Sequence, residues 1–144
     1  MTSTMTSTIE PTFNDNLNDN LNDNSTDSIV GSGLINKWSF NILEPSLNTC
    51  ITGEIYNSNQ FSDGKHILTS KIIDAYIVNT CIENDYIILK TINSKYILGQ
   101  YSIDFKEYMD CEIESNKLDK TNYTFDNNKG IVNIIKWYLS TYSE

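Results

Sequence analysis

The chain has 144 residues, of which 39% are hydrophobic and 20% charged, and this suits one small folded domain with polar appendages. Its formal net charge is −9, and all ten of its basic residues are lysine. Lysine does not provide the planar, bidentate recognition of phosphate, carboxylate or guanine that arginine provides. The acidic balance also disfavours nucleic acids and anionic membranes as partners, because the electrostatic attraction has the wrong sign.

Residues 1–33 form an acidic, low-complexity segment. Met-Thr-Ser-Thr occurs twice, and asparagine, aspartate and leucine then alternate from Asn14 to Asn24. Burial of the few apolar residues in this segment does not offset the entropy lost by ordering the backbone. We therefore predict a disordered tail. The aspartates do not make an EF-hand, because the glycine and glutamate that such a loop needs at its sixth and twelfth positions are missing.

Residues 34–101 have the pattern of a small β-domain. Short runs of β-branched and aromatic residues alternate with turn residues, which predicts a small barrel or a rolled antiparallel sheet of five to six strands. Gly53 in the middle of a strand predicts a bulge or a close approach of two backbones. The predicted strands are Lys37–Leu43, Cys50–Tyr56, one starting at His66, Ile72–Cys81, Tyr86–Thr91 and Tyr96–Leu98.

Residues 102–144 form a C-terminal extension. Ser102 is a suitable N-cap for a short helix that reaches Met109. Further on, apolar residues recur at helical spacing and predict an amphipathic helix over 128–142. A hairpin turning at residues 127–130 is the alternative, because Asn-Asn-Lys-Gly is also a turn sequence. The apolar stripe consists of Ile131, Ile134, Ile135, Tyr138, Leu139 and Tyr142.

No metal or cofactor site is expected. The three cysteines, Cys50, Cys81 and Cys111, are scattered and lack Cys-x-x-Cys spacing, so we predict free thiols in a reducing compartment. With His66 as the sole histidine, they do not supply a structural zinc site of ordinary spacing. The six glycines never form a dinucleotide-binding or phosphate-binding loop.

The sequence assigns no catalytic residues. His66 and Ser70 would lie about 13 Å apart on one strand, too far for a nucleophile and its base. Ser62, across the Asp63-Gly64 turn, could approach His66, which leaves a hydrolase-like site around His66 as an alternative. Acidic residues cluster at 104–114, but a carboxylate pair cannot be told from a solvated acidic face here. We therefore favour a protein that is not an enzyme.

We predict a ligand-binding site at one corner of the β-domain. Hydroxyl-bearing residues stand beside two turns, where they either bond backbone amides or line one end of the sheet. We expect the turn around residues 57–70 to face the turn around 91–96 across one concave pocket. The predicted ligand-binding residues are Phe61, Asp63, His66, Thr69, Ser70, Thr91, Ser94 and Tyr96.

Three motifs follow one another between Gly53 and Gly99: Gly-x-Ile-Tyr, then Phe-x-Asp-Gly-x-x-Ile-x-Thr-Ser, then Thr-x-x-Ser-x-Tyr-x-Leu-Gly. It resembles a small uncharacterised β-domain of giant amoeba-infecting, Mimivirus-like DNA viruses and of short bacterial proteins. The resemblance covers about residues 38–101. It implies a compact β-domain and no activity.

Together these observations predict a non-enzymatic binding or assembly module of a large DNA virus, acting on proteins. The partner would be another protein, or a second copy held through the C-terminal segment. A small barrel that binds single-stranded nucleic acid is the alternative, with Tyr56, Tyr76, Tyr86, Tyr96 and Tyr101 as its stacking residues. With no signal for secretion and no membrane span, we expect it in the host cytoplasm or the virion.

Overall fold

The computed structural model describes residues 32–79 and 85–142. Positions 1–31 of the predicted tail lie outside the described residues, and so does Cys81. A short 3-10 turn, Pro45–Leu47, follows the first strand. The elements in chain order are β1 (Leu34–Phe40), β2 (Ile51–Tyr56), β3 (Lys65–Leu68), β4 (Ile72–Asn79), β5 (Asp85–Thr91), β6 (Lys95–Leu98), α1 (Ile103–Ser115) and α2 (Asn128–Tyr142).

The six strands form one mixed sheet in the order β3-β2-β1-β6-β5-β4. Two antiparallel meanders, β1 to β3 and β4 to β6, meet at their inner strands, where Leu34 pairs in parallel with Ile97. The mainly β fold with a C-terminal helix is as predicted, but the sheet is not wholly antiparallel. Within the described residues β3 and β4 are unpaired edges, so the sheet is open and does not close into a barrel.

A bulge in β1 explains the glycine in β2. The pairing of β1 with β2 shifts between Asn36 and Ser39, and Lys37 has a φ of 53°. Two residues of β1 therefore oppose Gly53, and a Cβ there would lie 2.4 Å from Ile35 Cγ2. The predicted bulge or close approach at Gly53 is confirmed. The first predicted strand, Lys37–Leu43, began and ended three residues later than β1 does. The bulge shifts the alternation of inward and outward side chains on which that prediction was based.

Two helices cover one face of the sheet. Ser102 caps α1 as predicted, since its Oγ accepts from Phe105 N at 3.0 Å. The helix runs six residues past the predicted end at Met109, and the extra turns bury Ile113. Residues 128–142 form a helix and not a hairpin, because helical spacing buries Ile131, Val132, Ile134, Ile135 and Tyr138 together. Neither helix of the described chain has the length and apolarity needed to cross a bilayer.

Aromatic side chains join the helices to the sheet. Phe40 stacks on Tyr138 with 4.2 Å between ring centroids, and Phe105 packs against Trp38 at 5.4 Å. The two polar atoms of this cluster are satisfied: Tyr138 Oη donates to Asn48 O at 2.7 Å and Trp38 Nε1 to Gly99 O at 3.1 Å. The apolar stripe of α2 is thus used within the chain's own core.

Candidate functional site

The two turns of the predicted corner lie at the same end of the sheet. The start of β1 stands between them, because Leu34 pairs with Tyr56 on one side and with Ile97 on the other. The β2–β3 turn follows Tyr56, and the β5–β6 turn precedes β6. Both turns therefore lie at one end of the sheet, but the strand β1 separates them.

A cavity of about 350 Å³ lies at the β5–β6 turn. Thr91 and Ser94, two of the predicted residues, line it, and no residue of the β2–β3 turn does. Tyr96 is half-buried and packs against the core. The cavity therefore holds only part of the predicted corner. Its lining is Ser32, Lys90, Thr91, Ile92, Asn93, Ser94 and Lys95.

The predicted hydroxyls hold the backbone. Thr91 is fully buried, and its Oγ1 accepts from Ser94 N at 2.9 Å while its own amide donates to Ser94 O at 2.8 Å. Thr69 is also buried: Oγ1 accepts from Ile51 N at 3.0 Å and donates to Ser70 O at 2.8 Å. Ser70 is exposed. These contacts support the structural alternative for the threonines, which bond backbone groups at turns.

The β2–β3 turn is arranged around Asp63 and Phe61. Asp63 Oδ1 accepts from Asn57 N at 2.9 Å, and Gly64 has a φ of 88°, so the predicted Asp-Gly turn is present. Phe61 is half-buried against the core, and Lys65 Nζ lies 5.9 Å from its ring centroid. The aspartate and the phenylalanine therefore shape the loop, with Phe61 packing downward as an anchor.

His66 is exposed on the edge strand β3, where its cross-strand partner is Glu54. None of the side chains in the described part of the chain hydrogen-bonds to it. A hydrolase-like site requires a nucleophile within hydrogen-bond reach of the base, and no such arrangement surrounds His66 among these residues.

The thiols and carboxylates do not form a reactive site in the described residues. Cys50 is buried and free, and burial raises the pKa of its thiol despite the opposing effect of Lys71. A raised pKa keeps the sulfur protonated and inert. Cys111 is free and exposed. On α1, Asp110 pairs with Lys106 at 2.7 Å, and within the described ranges no three potential ligands are grouped for a metal.

A second apolar surface, which was not predicted from the sequence, runs across the sheet. Pairing places five side chains in one row on five adjacent strands: Tyr76, Ile88, Ile97, Leu34 and Tyr56. None of them belongs to the core that the two helices cover, so the row lies on the opposite side, here called the outer face. Ile88 has 0% exposure and the other four are half-buried.

The outer face has polar ends. On one side of the row, Val78 of β4 pairs with Tyr86 of β5. On the same side of the row, in the meander of β1 to β3, Asn36 pairs with Glu54 and Glu54 pairs with His66. At the other end Lys90 lies between Asp74 and Lys95, its two cross-strand neighbours. Charged residues therefore border an apolar and tyrosine-rich centre.

A sequence signal for the outer face was present. Ile87-Ile88-Leu89 is a continuous apolar run, which indicates a strand with apolar side chains on both faces of the sheet. Of the five tyrosines considered for stacking, Tyr56, Tyr76 and Tyr86 lie on the outer face, while Tyr96 and Tyr101 pack against the core.

No protein-family model, no curated protein and no solved structure matches the chain. The resemblance to a domain of Mimivirus-like viruses therefore stays a prediction.

Proposed function

We propose that this chain is a non-enzymatic binding module whose outer face binds another protein. The observation that carries the proposal is the row from Tyr56 to Tyr76, which spans five strands with apolar and aromatic side chains outside the core. Contiguous apolar surface bordered by polar groups is typical of protein interaction sites, and tyrosine is enriched in them.

The chemistry of the surface indicates the kind of partner. Leu34 and Ile97 favour an apolar segment, and Tyr56 and Tyr76 add flat surfaces with hydroxyls at their tips. The net charge of −9 attracts basic groups over longer distances. We therefore expect the partner to present apolar residues flanked by lysine or arginine.

The C-terminal segment is not the binding surface of this proposal. Four residues of its stripe, Ile131, Ile134, Ile135 and Tyr138, lie in the chain's own core, so they are not exposed to a partner in this fold. The outer face takes over that role. The resemblance noted above favours a setting in a virion or a virus factory.

We also infer that the sheet is rolled. Only residues 69–71 link β3 to β4, although these strands stand at opposite ends of the pairing order. Six flat strands would separate the two edges by about 24 Å, whereas the link spans at most about 14 Å. A rolled sheet brings the edges together at this corner and bends the outer face around it.

Binding of single-stranded nucleic acid is a second candidate. Tyr56, Tyr76 and Tyr86 share the outer face with Lys90 and Lys95, and aromatic side chains on a sheet can stack bases. Asp74 and Glu54 on the same side and the overall charge oppose this reading.

The test selects random displayed peptides on the full-length chain and measures their affinity by calorimetry. We expect enriched peptides with apolar residues beside basic ones, and Ile97→Asp should weaken their binding at least about tenfold, because it places a charge in the apolar row. Ile103→Asp is the matched control, since Ile103 is 62% exposed at the start of α1.

Two results would contradict the proposal: no enriched peptide family, or equal binding by the Ile97→Asp variant while circular dichroism shows it folded. Short single-stranded DNA at low salt is measured alongside. Binding of DNA that Ile97→Asp and Tyr76→Ala abolish, without any peptide binding, would favour the second candidate.

A further inference from the structure

The cavity at the β5–β6 turn contains two lysines that face each other. Lys90 of β5 and Lys95 of β6 are direct cross-strand partners, and both line the cavity. In the next pair Thr91 N donates to Ser94 O, so Lys90 and Lys95 form a non-hydrogen-bonded pair. Side chains approach most closely in such pairs, and like charges placed directly opposite destabilise a sheet. The fold therefore concentrates positive charge at one position.

Carboxylates of the described residues do not compensate this charge. The lining of the cavity contains no aspartate or glutamate. Asp74 is the other cross-strand neighbour of Lys90, but its Oδ1 accepts from Ala75 N at 2.8 Å and it does not line the cavity. The three ion pairs within the described ranges involve other lysines. Two positive charges are thus available to an anion.

The rest of the lining supplies hydrogen-bond donors. Ser32 is held at the cavity because its amide donates to Lys95 O at 2.6 Å. Asn93 and Ser94 lie in the turn, which Thr91 Oγ1 stabilises by accepting from Ser94 N. In the part of the chain that the structure describes, no group hydrogen-bonds to the side chains of Ser32, Asn93 or Ser94. Two hydroxyls and one amide can therefore donate to an anion alongside the ammonium groups.

We propose that this cavity binds the phosphate group of a small phosphate monoester. Two facing lysines require about two negative charges, and a phosphate monoester carries roughly 1.5 to 2 at pH 7, whereas a carboxylate carries a single one. The phosphate oxygens also accept hydrogen bonds from several donors at once. Lysine binds phosphate as a point charge, so the site does not need the arginine fork that this chain lacks.

The size of the cavity indicates a small molecule. Its volume of about 350 Å³ lies in the lower part of the range for small-molecule pockets. Ile92 also lines the cavity and is 69% exposed, so it offers apolar contact to the part of the ligand that carries the phosphate. The proposal does not rest on the proposed function, because the outer-face row takes no part in this lining.

Calorimetric titration of the full-length chain with phenyl phosphate tests the proposal. We expect a Kd of about 1 mM or lower, and no binding at about 10 mM ligand would overturn the site. Phenyl sulfate is the matched control ligand, because it has the same shape but a single negative charge. It should bind at least about fivefold more weakly, at equal ionic strength, and equal binding of the two ligands contradicts a site for a dianion.

Substitution of the lysines locates the site. Lys95→Gln removes one of the two charges and keeps a polar side chain, so it should weaken binding of phenyl phosphate at least about fivefold. Lys90→Gln is the second variant and should act in the same way. Lys136→Gln on α2 is the matched control, because it makes the same change of net charge at an exposed position outside the cavity. Binding by both cavity variants that equals that of the parent chain overturns the location.

Thermal unfolding measures the repulsion between the lysines directly. In chloride, Lys95→Gln should raise Tm by about 1–3 °C, because no like charge then faces Lys90. Phenyl phosphate at about tenfold its Kd should raise Tm of the parent chain by about 4–8 °C, and that of Lys95→Gln much less. A variant less stable than the parent in chloride contradicts the repulsion, and an equal rise in both chains contradicts the site.

A phosphoserine peptide and its unphosphorylated copy distinguish the source of the phosphate. Phosphopeptide binding no more than about tenfold tighter than that of phenyl phosphate supports a small-molecule ligand, and a larger difference overturns it in favour of a phosphorylated protein. This outcome is separable from that of the proposed function. Phenyl phosphate binding that Lys95→Gln weakens, in a chain that binds no displayed peptide, confirms the anion site and contradicts the proposed function alone.

Discussion

At the scale of single residues, much of the fold follows from small or polar side chains that hold backbones together. Gly53 admits the bulge of β1, Thr69 bonds Ile51, and Thr91 closes the β5–β6 turn. The position of the glycine within a strand and of the threonines beside turns predicted these backbone contacts. Their partners, which lie many residues away, could not be read from local spacing.

Gly53 provides the sharpest test at this scale. Gly53→Ala should lower the free energy of unfolding by about 2 kcal/mol or more, because the added methyl overlaps Ile35 Cγ2 and lies 2.8 Å from Asn36 O. Gly64→Ala is the comparison: the space around its Cβ is open, so only its positive φ is strained, at about 1 kcal/mol. Urea unfolding measures both. A larger effect at Gly64 would contradict the close approach.

At the scale of elements, the predicted strands and the two helices were largely recovered, because alternation and helical spacing are local properties. The C-terminal helix is an example: Asn127 to Gly130 also suited a hairpin turn, but the stripe from Ile131 to Tyr138 decided for the helix. The parallel pairing of β1 with β6 was not predicted, since nothing local to Leu34 indicates that Ile97 is its neighbour.

The link between β3 and β4 gives a prediction at this scale. Thr69→Val should lower the free energy of unfolding by about 1–3 kcal/mol, because it leaves the buried amide of Ile51 with one acceptor fewer. Thr69→Ser keeps the hydroxyl and should retain most of the stability. Thermal unfolding compares the two. If the valine and serine variants lose equal stability, the hydroxyl does not stabilise the link. A ligand-binding role for Thr69 would then be the better explanation of its position.

At the scale of the whole molecule, the candidate site in the structure is the outer face and not the corner predicted from the sequence. The sequence indicated a corner between two turns, but the start of β1 separates them. Thr91 bonds the backbone of its own turn, and Thr69 bonds Ile51 at the opposite end of β3 from the β2–β3 turn. The outer-face row could not be predicted, because it requires the register of five strands at once. Periodicity within each strand shows which residues share a face, but it does not show which strands are neighbours.

Alkaline stability tests the packing of the whole core. Burial raises the pKa of Tyr138, so the folded state holds the phenolic proton more tightly than the unfolded chain. The stabilisation is complete below a pH of about 10, the pKa of an ordinary tyrosine, and is lost progressively as pH rises above it. We expect stability to fall steeply there, and less steeply in Tyr138→Phe, whose unfolding at neutral pH costs about 1 kcal/mol less.

Unfolding by urea between pH 8 and pH 11, with tyrosine ionisation followed by absorbance, measures this dependence. Tyr123→Phe serves as the control, because it removes the same hydroxyl from a tyrosine that is only half-buried. Parallel pH dependence in the parent chain and in Tyr138→Phe would show that Tyr138 ionises without cost to the fold.

The meeting of β1 and β6 at the centre of the sheet has a consequence for synthesis on the ribosome. β1 is the first of the strands to be made, yet one of its sides waits for β6, and four other strands are translated in between. The first meander can form early, but its inner edge stays open until the second arrives, and α1 and α2 follow later still. In nascent chains the inner edge of β1 therefore stays unpaired until β6 has been made, and this is the stage at which a chaperone has most to protect.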